Sequence, residues 1–108
     1  MHLDFIREAI GRIEEYTRQG EAYFMVHHLE QDAVIYNLQT IAEASKDLPN
    51  NAKKAHPEIS WNALIGFRNL VIHEYLKVDP AKVWRIVSDD LPLLKIAIAS
   101  ISKACESK

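Results

Sequence analysis

The stretch Leu3-Asp4-Phe5-Ile6-Arg7-Glu8-Ala9-Ile10-Gly11-Arg12-Ile13-Glu14-Glu15-Tyr16 decides the fold class. Leu3, Phe5, Ile6, Ala9, Ile10, Ile13 and Tyr16 return at three- and four-residue spacing, and Arg7, Glu8, Arg12, Glu14 and Glu15 lie between them. This period gathers the apolar side chains on one stripe of an amphipathic helix. The helix should end near Gln19-Gly20, where glycine can serve as a C-terminal cap. Gly11 inside it costs about 1 kcal/mol against alanine at an exposed site, or marks a close helix contact.

The same period continues along the chain. Glu21 to Val26 should connect to a second helix over residues 27–48, with Val34, Leu38, Ile41, Ala42, Ser45 and Leu48 facing inward. Pro49 opens a polar stretch with room for one short helix, which must stop before Pro57. Ser60 is a good N-cap for a helix starting at Trp61 and reaching Leu76. Asp79-Pro80 then restarts the chain as an N-cap with proline in the first helical position. The last helix carries Val83, Trp84, Ile86, Val87, Leu91, Leu94, Ile96 (or Ile98) and Ile101, and Pro92 should kink or divide it. With three glycines and no Asn-Gly or Asp-Gly hairpin signal, the expectation is all-α: an antiparallel four-helix-type bundle with one additional short helix.

The 108 residues suit one domain, 1–108, with a single core. A net charge of −2 argues against a general nucleic-acid coat protein, though not against a small basic cleft. Cys105 is the one cysteine, so neither an intrachain disulfide nor a cysteine metal cluster can form. The charged N-terminus reads as neither signal peptide nor membrane anchor, which points to a cytoplasmic chain.

Chemistry concentrates in Arg68-Asn69-Leu70-Val71-Ile72-His73-Glu74-Tyr75, where a permanent cation, an imidazole and a phenol stand among apolar residues. Arginine reads phosphate and histidine moves protons near neutral pH, so the run points to phosphodiester chemistry, with RNA as the expected substrate. In a regular helix Arg68 and Tyr75 fall about 20° apart, and Asn69 and His73 about 40° apart. Arg68 and His73 fall about 140° apart, so they meet more readily across a symmetric dimer than within one chain. A plainer reading stands beside this one. Arg68 could pair with an acid such as Glu43 or Asp47, His73 could answer a helix C-terminus, and Tyr75 could be a wet-ended core aromatic. Adjacent His27 and His28 point about 100° apart, and no His-Glu-x-x-His, Glu-x-x-His, glycine-rich phosphate loop or Gly-x-Ser-x-Gly motif occurs. Neither a metal site nor a cofactor is therefore expected. Trp61 and Trp84 sit at core spacing.

Arg68, four residues, His73, one residue, Tyr75 resembles the signature of the HepT-like proteins of the HEPN superfamily. The segments Gln31–Leu38, His56–Trp61, Val78-Asp79-Pro80 with Val83-Trp84, and Asp90–Leu94 resemble the same family in the same order. The resemblance implies a helical bundle that dimerises, or forms a higher even oligomer, and brings two Arg–His pairs into one cleft. It implies a metal-independent endoribonuclease, the toxin of a type VII-like toxin–antitoxin module, with Arg68 and His73 catalytic. Asn69 and Tyr75 would support RNA binding. The implied partner is a cognate minimal nucleotidyltransferase antitoxin that transfers AMP onto Tyr75, placing bulk and charge beside Arg68. Leu70 stands where the family often carries a second arginine, and Leu76-Lys77 replaces a common aromatic-glycine pair. A second function class stays open: a noncatalytic dimeric binding module that presents a nucleotide or Tyr75 to the transferase. The net charge favours the module, and Arg68 with His73 favours the nuclease.

Overall fold

The computed structural model describes the backbone of residues 2–106 and the side chains of residues 3–105. Among the described residues every regular element is helical, as the periodicity predicts. The α-helices are α1 (His2–Tyr16), α2 (Glu21–Phe24), α3 (His28–Lys46), α4 (Asn50–Lys54), α5 (Trp61–His73), α6 (Pro80–Arg85) and α7 (Leu91–Glu106). A 3-10 turn at Tyr75–Lys77 follows α5, and a π turn at Ile86–Asp90 joins α6 to α7.

The amphipathic stripe of α1 does what its spacing demands. Leu3, Ile6, Ala9, Ile10 and Ile13 are buried, while Phe5, about 100° away from Ile6, faces solvent. α3 lies at the centre, with α1 and α5 packed against it, and α7 returns along α1. Lys95 reaches Glu14 at 2.8 Å and Arg7 reaches Ser102 at 3.2 Å, so α1 and α7 run antiparallel. All six expected inward residues of α3 and its exit, Val34, Leu38, Ile41, Ala42, Ser45 and Leu48, are buried. The Ser45 hydroxyl donates to the Ile41 carbonyl at 2.7 Å, which makes its burial tolerable. Of the two isoleucines that could face inward on the last helix, Ile98 is buried and Ile96 is exposed.

Several boundaries differ from expectation. The expected connection after Gly20 contains the short helix α2. Gly20 supplies the positive φ of 93° that reverses the chain, and Phe24 then enters the core, where its ring meets Trp84 at 5.4 Å. The His27 ring stacks on Tyr23 at 3.6 Å, and its Nδ1 lies 2.7 Å from the Tyr23 carbonyl oxygen. Ser60 occupies the N-cap position of α5 but its side chain makes no capping bond; Asp79 does cap α6, accepting the Ala81 N–H at 2.9 Å. Pro92 divides the last helix through the π turn, which widens the backbone where proline cannot donate back to Ser88. Most consequentially, α5 stops at His73 rather than running to Leu76. Glu74 still donates to the Leu70 carbonyl at 2.7 Å, but its φ of −144° takes the chain out of the helix.

Candidate active site

Two carboxylates of α3 hold the functional run. Asp32 and Glu43 are eleven residues apart, three helical turns to within about 20°, so they share one face of α3. The Arg68 Nε–H donates to Glu43 Oε1, and the Tyr75 hydroxyl donates to Asp32 Oδ1. The later residue meets the earlier one in each comparison, so α5 runs antiparallel to α3. Both contacts link residues far apart in sequence, and local propensity cannot create either.

Arg68 is half-buried, and besides Glu43 it reaches Asn69, with NH1 donating to Asn69 Oδ1 at 3.0 Å. Of the five guanidinium N–H groups, two are thus engaged and three remain for an anion. The pairing with Glu43 is the plainer reading of Arg68, realised in the fold; it also fixes where the guanidinium points. Asn69 acts as acceptor toward Arg68 rather than as a partner of His73.

His73 closes α5 as its last residue and is exposed, and its imidazole makes no hydrogen bond or ion pair among the described residues. Such an imidazole is open to a ligand. Five residues along a helix separate it from Arg68 by about 7.5 Å of axial rise and about 140° of rotation. Within one chain, no hydrogen bond joins the two.

Tyr75 lies beyond the helix end, on the 3-10 turn, so the expected two-turn alignment with Arg68 does not hold. Its phenol is pushed up to about 12, chiefly by the hydrogen bond to Asp32, then by burial and by the Asp32 charge. Tyr75 is therefore a neutral donor at physiological pH. Its anchor on α3 stands about 16 Å along the helix from the anchor of Arg68. The acids were the residues that sequence reasoning underused: Glu43 was named only as a structural pair and Asp32 carried no role. Their eleven-residue spacing on one helix face was the available signal.

Large apolar side chains stand exposed among the polar groups around this run. Ile72 is 45% exposed, Leu76 98%, Leu29 79% and Tyr36 65%. Leu29, Asp32 and Tyr36 share one face of α3 by their three- and four-residue spacing, and Tyr75 reaches that face through Asp32. On the other flank of α5, a cleft of about 340 Å³ is lined by Phe67, Leu70, Lys77, Lys82 and Arg85 among others. Among the described residues no group of three or more His, Cys, Asp or Glu side chains is placed to hold a metal ion. No helix among them is long and apolar enough to cross a membrane.

Comparison with known proteins agrees with the resemblance carried by the motif. The chain is 43% identical over 95 residues to a protein of Thermococcus cleftensis named "Probable ribonuclease HepT", covering 87% of this chain and 86% of that one. It is 32% identical over 91 residues to a Methanocaldococcus jannaschii protein named "Putative RNase MJ1380", covering 83% of this chain and 84% of that one. A longer protein of the same organism, named "Gamma-glutamylcyclotransferase and putative RNase MJ0434", is 36% identical over 102 residues; the match covers 94% of this chain and 46% of that one. No solved structure matches. The family model described as ribonuclease HepT-like matches residues 6–101, nearly the whole chain, and the protein belongs to the HepT-like ribonuclease family.

Proposed function

We propose that this ribonuclease-family chain is a metal-independent endoribonuclease working at a composite site between two copies, and the toxin of a type VII-like toxin–antitoxin module. The observation that carries the reading is the unpartnered face beside the motif. Ile72, Leu76, Leu29 and Tyr36 are apolar and exposed around Arg68, His73 and Tyr75. A second copy laid on that face would cover them and bring two Arg68 and two His73 side chains to one cleft.

The chemistry then follows from the side chains. Arg68, set by Glu43 and Asn69, would hold the scissile phosphate with its remaining N–H groups. One His73 would take the proton of the ribose 2′-hydroxyl as its oxygen bonds to phosphorus. The other His73 would protonate the 5′-oxygen as the phosphorus–oxygen bond breaks. The products are a cyclic phosphate and a 5′-hydroxyl, and the need for a 2′-hydroxyl selects RNA over DNA.

Neutralisation would occur at Tyr75, through a cognate minimal nucleotidyltransferase. The phenol oxygen would bond to the α-phosphorus of ATP, pyrophosphate would leave, and Asp32 stands where the phenol proton must go. The AMP group would add negative charge two residues from His73 and repel the RNA backbone. A Tyr75→Phe chain should escape neutralisation by the transferase.

The deciding experiment is cleavage of total RNA and tRNA by purified, unmodified protein in EDTA, beside Arg68→Ala and His73→Ala. Wild type should cut, leaving cyclic-phosphate ends, and each variant should lose about 10²- to 10⁴-fold. The pairing of Arg68 with Glu43 favours one alternative, a noncatalytic dimeric module that binds the transferase. Absence of cutting by a verified, unmodified dimer would sink the nuclease reading and shift the balance to that alternative.

A further inference from the structure

Arg68 and Glu43 form the one long-range contact that reaches an expected catalytic side chain from another helix among the described residues, and its form is informative. An arginine tied to a carboxylate through both terminal nitrogens would lose its end-on fork to a phosphate. Here the carboxylate takes Nε–H, and Asn69 takes a single NH1 proton. The guanidinium plane is held at two points while three N–H groups, including both on NH2, remain uncommitted. A free arginine of this length would sample many rotamers, and ordering it at the moment of reaction would slow the chemical step. Glu43 sits on α3, a helix rigidified by its buried stripe from Val34 to Ser45, so it is a firm anchor.

We propose that Glu43 is a positioning residue for the ribonuclease reaction, orienting Arg68 toward the scissile phosphate rather than merely stabilising the bundle. The inference rests on the ribonuclease reading above. Glu43 touches neither phosphate nor proton; it acts through Arg68. Its own negative charge opposes RNA, so it should help turnover while slightly hindering binding. These two effects have opposite signs, and they separate positioning from a general structural role.

The test is single-turnover and steady-state cleavage of a short fluorescent RNA by wild type, Glu43→Ala and Glu43→Gln, with thermal unfolding followed in parallel. Glu43→Ala should lower kcat by about 10- to 100-fold, as expected for a displaced catalytic group, while KM stays level or falls. Glu43→Gln should recover most of the rate, because its amide oxygen can still accept Nε–H. Cleavage by Glu43→Ala at the wild-type rate or faster would overturn the proposal and make Glu43 a competitor of RNA for Arg68. Parallel loss of rate, RNA binding and thermal stability in both variants would overturn it in favour of a structural prop. If wild type itself does not cut RNA, the ribonuclease reading has failed first; if wild type cuts and the variants match it, only the role of Glu43 has failed.

Discussion

α1 and α5 are both long helices packed on α3, yet they treat their apolar residues in opposite ways. α1 carries charge along one side and buries Leu3, Ile6, Ala9, Ile10 and Ile13, leaving Phe5 of its expected stripe in solvent. α5 is the more apolar sequence, WNALIGFRNLVIH, but of its residues only Val71 is buried. Leu64, Ile65, Phe67 and Leu70 are half-buried and Ile72 is exposed. A helix that is apolar beyond what its own chain covers is built to meet something else. The Arg68–His73 motif sits on the helix with the unfilled face, while the helix with the satisfied face carries none of it.

The difference predicts that substitutions in α1 damage stability and substitutions in α5 damage assembly and activity. The largest effect should come from Ile13→Ala. Its side chain is fully buried, so deleting it should cost about 2–5 kcal/mol, read as a lower denaturant midpoint. A cost under about 1 kcal/mol would mean that α1 is less tightly packed than its burial indicates.

Ile72→Asp comes next. It should leave the helical signal and thermal unfolding of the monomer nearly unchanged but weaken self-association by about tenfold or more, measured by sedimentation. Equal sedimentation of both proteins would move the partner of α5 away from a second copy. Asp79→Ala removes an exposed capping carboxylate from the start of α6 and should cost about 1 kcal/mol with no change in assembly.

The smallest effect sharpens the Tyr75 end of the comparison. The phenol is held neutral by Asp32, with a folded value of about 12 against about 10 in the unfolded chain. Because the folded value is the higher, the contact contributes stability fully below about pH 10 and loses it as pH rises toward about 12. Ultraviolet titration should show one tyrosine ionising late, and Asp32→Asn should bring it back toward about 10. A wild-type titration in which no tyrosine ionises late would remove the contact from the account.

Most of the architecture was legible from residue order alone. The positions of the long helices, the buried stripes of α1 and α3, and the Asp79-Pro80 restart follow from three- and four-residue periodicity and capping chemistry, which act over one or two turns. The motif residues were legible too, because their types are rare among apolar neighbours. Their arrangement was not. No glycine or proline marks His73 as the end of α5, and the chain leaves the helix just before Tyr75 reaches Asp32 on α3. Likewise, periodicity offered Glu43 and Asp47 equally to Arg68, and the fold selected Glu43. Local energetics set which segments coil and which faces turn inward. Contacts between residues 25 and 43 positions apart could be decided only when α3 and α5 packed, because only packing sets the register of one helix on another.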